Sequence, residues 1–95
     1  MISITSYYGN SASAENNAKK VTINGTRFYF SYETLVAVST VNQGTKVLKN
    51  YWGPTTGKHL NAIDGGNKNS RVDQDEFDDF VESLEITKVI KHLFK

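Results

Sequence analysis

The sequence predicts a single α+β domain: an antiparallel sheet of four to five strands (a meander), with a short helix and a C-terminal helical region packed on one face. Two observations predict this class. Short runs of β-branched and aromatic residues separated by turn residues fill the first half of the chain. An amphipathic helical pattern follows in the second half. A chain of 95 residues, 38% of them hydrophobic, can build one small core.

The first strand is predicted at about residues 2–8, where Ile2 and Ile4 alternate with polar neighbours. The segment that follows, at 9–20, is rich in Gly, Ser, Asn and Ala. This composition is typical of a loop.

Turn residues organise the middle of the chain. Asn24-Gly25 lies between two β-prone runs and favours a type I′ hairpin, because that turn needs positive φ at both central residues. Strands are therefore expected at about 20–24 and 26–32. A third β-branched run at 34–41 is followed by a glycine-containing turn and a further strand at 45–52.

Two helices are predicted beyond these strands. Thr56 is expected to cap a short helix at about 58–63, and Asp73 to cap a longer one. In the longer helix the apolar side chains recur at the spacing i, i+3, i+4 and i+7, which places them on one face. These side chains are Phe77, Phe80, Val81 and Leu84.

The tail, residues 85–95, repeats this apolar spacing with Ile86, Val89, Ile90 and Leu93. At 100° per residue the second stripe points away from the first, so one straight helix would be apolar on two sides. Two alternatives stay open. Either the chain bends near Glu85, or a protruding helical tail presents its stripe to another subunit, as in a homodimer, or to a partner.

Composition argues against several kinds of site. The chain has no cysteine, which excludes disulfides and thiolate metal ligands, and its two histidines do not make a typical structural zinc site. We therefore expect no metal and no cofactor. No apolar stretch approaches the roughly 20 residues that span a bilayer, and the first residues do not resemble a signal peptide. A cytoplasmic protein without membrane contact is expected.

The segment 53–59, GPTTGKH, resembles a phosphate-binding loop but lacks its spacing. A Walker loop has four residues between its glycines and a hydroxyl residue after the lysine. Here only three residues lie between Gly53 and Gly57, and His59 takes the place of the hydroxyl. With no other catalytic motif, the protein is expected not to be an enzyme. Lys58 and His59 remain candidates for contact at an anion-binding helix start, with an ordinary helix cap and a solvated lysine as the favoured alternative.

Basic and aromatic residues are interleaved on the predicted strands, as in sheets that stack bases and contact phosphates. Strand alternation sends Phe28 and Phe30 to one face, taken as the core, and Arg27 and Tyr29 to the other, taken as free. The net charge of +1 predicts only modest long-range attraction. The residues predicted for nucleic-acid binding are Arg27, Tyr29, Lys49, Trp52 and Lys58.

Charge is divided unevenly along the chain. Residues 1–72 hold eight Lys/Arg and three Asp/Glu, whereas residues 73–95 hold three and seven. Carboxylates contact Arg and Lys much as phosphates do, so the acidic helix is a candidate to occupy a basic groove on a partner. A solvated helix face is the simpler alternative. The residues predicted for partner binding are Asp75, Asp78, Asp79, Glu82, Tyr51, Trp52, Lys58 and His59.

Three segments, VTINGTRFYFSYETLVAV, WGPTTGKHLNAIDGG and SRVDQDEF, resemble a family of small uncharacterised bacteriophage proteins. The resemblance spans residues 1–82 and not the tail, and it implies no catalytic residue. It implies a phage-encoded, non-enzymatic protein in the host cytoplasm. Such a protein is expected to inhibit a host defence complex such as CRISPR–Cas by binding a host protein or ribonucleoprotein. The alternative is a small nucleic-acid-binding module.

Overall fold

The computed structural model describes residues 2–8 and 17–84. Five strands form one antiparallel sheet in the order β1-β2-β3-β4-β5, so each strand pairs with its neighbours in sequence. The α+β class and the meander are therefore confirmed. The strands are β1 (Ile2–Ser6), β2 (Ala18–Ile23), β3 (Thr26–Ser31), β4 (Thr34–Thr40) and β5 (Gly44–Val47).

Two helices cover opposite faces of this sheet. They are α1 (Pro54–Asp64) and α2 (Gln74–Glu82), separated by a short 3-10 helix (Lys68–Ser70). Leu60 of α1 packs in a cluster with Val36, Ala37 and Val47. Phe77 and Val81 of α2 pack in a second cluster with Val21, Phe28, Val38, Leu48 and Val72. Neighbouring strand residues point to opposite faces, so the two helices lie on opposite sides of the sheet. The expectation that the face of Tyr29 is free was wrong, because Tyr29 packs against the cluster that contains Leu60.

Local sequence explains the turns. Asn24 and Gly25 have φ values of 50° and 88°, as a type I′ turn requires, and they join β2 to β3 as predicted. A β-bulge in β4 follows from the pairing, since Tyr29 faces Ala37 whereas Phe30 faces Leu35. Val36 is the extra residue, and it packs with Ala37 in the cluster under α1.

The first turn of α1 differs from the prediction. Gly53 is the N-cap and Pro54 begins the helix, where a missing N–H and a fixed φ are favourable. Thr56 was expected to cap the helix, but it lies inside it. Its hydroxyl forms a hydrogen bond of 3.0 Å with Ser31 instead.

The prediction for α2 is confirmed. The Asp73 side chain accepts a hydrogen bond of 2.8 Å from the backbone N–H of Glu76, which caps the helix. Phe77 and Val81 are buried, and Phe80 and Leu84 pack against the same cluster.

The last strand is shorter than expected. β5 ends at Val47, and Leu48 forms an isolated parallel bridge with Val72. Lys49 donates its backbone N–H to the Val72 carbonyl at 2.8 Å, which holds the following loop beside the segment that precedes α2. The tail stripe of Ile86, Val89, Ile90 and Leu93 lies outside the described residues. Among the described helices, none is long and apolar enough to cross a membrane.

Candidate nucleic-acid interface

A groove of about 470 Å³ lies between the loop at 49–53, α1 and the 3-10 helix. We call it the basic groove, because its described lining holds four cationic side chains and no carboxylate. The cationic residues are Lys49, Lys58, Lys68 and Arg71, and the other lining residues are Asn50, Pro54, Gly57 and Asn61.

Arg71 is the fixed cation of the basic groove. Its side chain is 4% exposed, and its Nε donates to Asp64 Oδ2 at 2.8 Å. Its Nη2 donates to Asp64 Oδ1 at 3.0 Å and to Asn61 Oδ1 at 2.9 Å. Nη1 forms no hydrogen bond with any residue in 2–8 or 17–84. A guanidinium carries five donor hydrogens, so Arg71 keeps donor capacity for a ligand.

Asp64 neutralises Arg71 and no other cation of the groove. Burial opposes the ionisation of Asp64, but the hydrogen bond from Arg71, the N–H of Gly66 and the charge of Arg71 outweigh it, and the pKa of Asp64 lies below its ordinary value. The three lysines form no salt bridge with a described residue. Among the described residues, no carboxylate therefore compensates the positive charge that Lys49, Lys58 and Lys68 bring to the basic groove.

The side chain of Asn50 orders the loop beside the groove. Its Oδ1 accepts the N–H of Trp52 at 2.9 Å, and its Nδ2 donates to the carbonyl of Gly53 at 3.2 Å. A Cβ at position 57 would lie 3.1 Å from that Nδ2. Gly57 thus allows the loop to approach α1 closely, which is a structural reason for the glycine before Lys58.

Two exposed aromatic residues belong to the loop that borders the basic groove. Tyr51 and Trp52 are 54% and 44% exposed, and they lie between Asn50 and Pro54, which both line the groove. Their ring centroids are 6.0 Å apart at an interplanar angle of 83°. The Tyr51 hydroxyl accepts the N–H of Gln74 at 3.2 Å, which ties its ring to the start of α2. Uncompensated lysines beside exposed rings can bind phosphates and stack bases.

The structure brings together two of the five residues predicted for nucleic-acid binding, Lys49 and Lys58, in the basic groove. Trp52 belongs to the loop at 49–53 but does not line the groove. Arg27 is exposed on the sheet but does not line the basic groove. Tyr29 is not on a free face, because it packs against the cluster under α1 and its ring lies 5.2 Å from that of Tyr7.

Sequence reasoning missed the groove residues Asn50, Asn61, Lys68 and Arg71. They come from three separate segments, and the bridge between Leu48 and Val72 brings the loop after β5 beside the segment that contains Arg71. The sequence feature that could have indicated these residues was Lys68 in a glycine-containing loop. That feature did not indicate which other segment the loop would contact.

His59 was predicted as a contact residue, and this was wrong because its side chain is 2% exposed. Its Nδ1 forms a hydrogen bond of 2.7 Å with Ser31 Oγ. The rings of Tyr7, Tyr8 and Tyr32 surround the imidazole at centroid distances of 6.1, 5.2 and 5.9 Å. Burial lowers the pKa of His59, because it disfavours the charged form of the ring.

The predicted acidic residues lie together on α2, on the opposite sheet face from α1. Asp75, Asp78, Asp79 and Glu82 are all exposed. Asp78 accepts a hydrogen bond of 2.8 Å from Gln74. Within the described part of the chain, no group of three or more side chains is placed to hold a metal ion.

Residues 2–79 match a protein family described as a family of unknown function, DUF8033. No curated protein matches the chain, and no solved structure matches it.

Proposed function

We propose that this chain, which belongs to the DUF8033 family of unknown function, binds single-stranded nucleic acid without catalysing a reaction. The observation that supports the proposal is the basic groove itself. Four cationic side chains line one concavity, only Arg71 among them is paired with a carboxylate of residues 2–8 and 17–84, and the loop that borders the concavity carries the exposed Tyr51 and Trp52.

The phosphate backbone is the part of the ligand that the basic groove suits. Lys49, Lys58 and Lys68 supply charge that attracts phosphates without reading sequence. The free donor capacity of Arg71 adds a rigid contact, because Asp64 and Asn61 already fix the guanidinium plane. We expect binding that tolerates different sequences and weakens as salt concentration rises.

The aromatic pair favours single strands over duplexes. Stacking on a protein ring needs a base whose face is accessible, and a duplex keeps its base faces covered. The hydrogen bond with Gln74 holds the Tyr51 ring, so this ring loses little conformational freedom on binding, and the Asn50 side chain orders the backbone at Trp52.

Trp52 is the single tryptophan of the chain, so intrinsic tryptophan fluorescence reports on this position alone. Unlabelled oligonucleotides of single-stranded DNA or RNA are titrated into the full chain while the intrinsic fluorescence of Trp52 is followed. We expect quenching that saturates, and an affinity that falls steeply as salt rises. No quenching at tens of micromolar ligand in low salt contradicts the proposal.

Charge reversal supplies the matched control. Lys68→Glu is expected to weaken binding strongly, because it places a carboxylate in the groove. Lys19→Glu makes the same change in net charge at an exposed position of β2 outside the basic groove. Equal weakening by both variants would show that only overall charge matters. A turnover screen with nucleotides tests the non-enzymatic part of the proposal.

A second candidate function rests on the acidic face of α2. The four exposed carboxylates of Asp75, Asp78, Asp79 and Glu82 form an extended negative surface that can occupy a basic groove on a host protein or ribonucleoprotein. In this candidate the protein is phage-encoded, acts in the host cytoplasm and inhibits a defence complex such as CRISPR–Cas.

The second candidate is tested by an affinity pull-down from host lysate, with and without nuclease. The triple variant Asp75→Lys, Asp78→Lys and Asp79→Lys is compared with the natural chain, and circular dichroism checks that both are folded. If this candidate is correct, the natural chain captures a partner whether or not nuclease is added, and the triple variant does not capture it. An unchanged set of partners counts against the acidic-face mechanism.

A further inference from the structure

The guanidinium of Arg71 has one nitrogen without a partner in the described part of the chain. A guanidinium carries five donor hydrogens, one on Nε and two on each Nη. Nε and Nη2 donate theirs to Asp64 and Asn61, so both hydrogens of Nη1 remain. Among the described residues, no fully buried side-chain nitrogen or oxygen lacks a partner, so Nη1 reaches solvent. Because Arg71 is otherwise buried and lines the basic groove, this open nitrogen is available to a ligand in the groove.

The start of α1 brings a second positive feature to the same groove. Pro54, Gly57 and Lys58 belong to α1 and line the groove. The N-cap residue, Gly53, makes no side-chain cap, and the first turn contains no acidic residue. The positive end of the helix dipole is therefore not neutralised from within α1. A helix start of this kind attracts anions, because its first backbone N–H groups have no partner within the helix.

The positive charge of the groove is concentrated in one place. Three lysines and Arg71 line a single concavity of about 470 Å³. A protein that follows a long single strand instead spreads its basic residues along a channel that covers about 4–16 nucleotides. Concentrated charge favours the phosphate group that carries the most negative charge.

We propose that the basic groove binds the terminal phosphate of a nucleic-acid strand, a phosphate monoester, in preference to the phosphodiesters within the strand. This inference rests on the single-strand binding proposed above. At pH 7 a monoester carries a charge of about −1.5 to −2 and three acceptor oxygens, whereas an internal diester carries about −1. The two Nη1 hydrogens of Arg71, the lysine ammonium groups and the start of α1 suit the ligand with more charge and more acceptors.

The loop beside the groove favours the end of a strand over a free phosphate ion. This loop carries the exposed Tyr51 and Trp52. A base next to the terminal phosphate can stack on an exposed ring, and inorganic phosphate has no base. The test therefore includes inorganic phosphate, which presents the same oxygens alone.

Three deoxythymidine oligonucleotides test the proposal with the full chain. Two have about eight nucleotides and carry a phosphate at the 5′ end or the 3′ end. The third has hydroxyl groups at both ends and is one nucleotide longer, so that all three contain the same number of phosphates. We expect at least one phosphorylated oligonucleotide to bind about tenfold more tightly than the third, as measured by isothermal titration calorimetry at one salt concentration.

The outcomes separate this proposal from the proposed function. Equal affinities for the three oligonucleotides overturn the preference for a terminal phosphate and leave single-strand binding intact. No binding of any of them overturns both. Inorganic phosphate that binds as tightly as the phosphorylated oligonucleotide overturns the assignment to a strand end, because the base would then contribute nothing.

Matched variants locate the preference in the groove. Lys68→Gln and Lys19→Gln each remove one exposed positive charge, but only Lys68 lines the basic groove. We expect Lys68→Gln to reduce the ratio of phosphorylated to unphosphorylated affinity and Lys19→Gln to leave it unchanged. Arg71→Lys keeps the charge and removes Nη1, so it should reduce the ratio too, with circular dichroism as the check on folding. The same ratio in Lys68→Gln as in Lys19→Gln overturns the proposal, whether or not Arg71→Lys folds.

Discussion

Ser31 and His59 are joined by a hydrogen bond of 2.7 Å between Oγ and Nδ1, and this bond connects β3 to α1 inside the protein. Thr56 bonds to the same hydroxyl at 3.0 Å. All three side chains are buried. The contact positions α1, and with it the wall of the basic groove that carries Gly57 and Lys58.

Stability should depend on pH through His59. Burial lowers the pKa of His59 from 6.5, so the unfolded state binds more protons and the free energy of unfolding rises with pH. The contribution of His59 should be complete above pH 6.5 and lost as pH falls through the lower pKa of the folded state. Urea unfolding on both sides of this range measures it. His59→Gln should flatten the dependence, whereas a dependence that survives in His59→Gln contradicts the assignment.

The buried pair of Asp64 and Arg71 should be sensitive to loss of one partner. Asp64→Asn leaves the Arg71 charge buried without its carboxylate, and we expect a loss of about 3 kcal/mol in the free energy of unfolding. Asp79→Asn removes an exposed carboxylate from α2 and should change stability by less than about 0.5 kcal/mol. Denaturant unfolding compares the two, and similar small losses would mean that solvent in the basic groove screens Arg71.

Gly57 and Asn50 should be energetically coupled. Alanine is favoured over glycine in a helix by about 1 kcal/mol, but a Cβ at position 57 lies 3.1 Å from Asn50 Nδ2. We expect Gly57→Ala to stabilise the protein when Asn50→Ala is also present, and to stabilise it less or destabilise it alone. A double-mutant cycle measures a coupling of at least about 0.5 kcal/mol. Equal effects of Gly57→Ala in both backgrounds contradict the close approach.

Mutations should distinguish the contribution of base stacking to nucleic-acid affinity from the contribution of charge. Trp52→Ala is expected to weaken single-strand binding by about 1–3 kcal/mol while leaving the salt slope nearly unchanged, because it removes stacking and no charge. Lys68→Gln should instead reduce the slope by about 0.7, the value for one single-strand phosphate contact. Fluorescence anisotropy of a labelled oligonucleotide follows both variants, with Trp52→Phe as the control that keeps a ring. A Trp52→Ala variant with natural affinity would contradict stacking at this position.

Local interactions made part of the fold predictable. Positive φ at Asn24 and Gly25 and the Asp73 cap depend on residues within four positions of one another, so their patterns are visible in the chain. The apolar face of α2 was predictable for the same reason. The basic groove was not, because Lys49, Lys58 and Lys68 come from three segments that meet through the bridge between Leu48 and Val72 and the docking of α1, and such long-range contacts have no local signature.

The errors share one physical cause. α1 docks on the face that carries Tyr29, and this docking buries His59 and turns Thr56 from a cap into a partner of Ser31. The sequence by itself determined the antiparallel meander, its hairpin turn and the capped α2, since each follows from neighbours along the chain. Only the tertiary structure decided which cations share a concavity and which histidine is buried, because burial and charge proximity depend on residues brought together from distant positions.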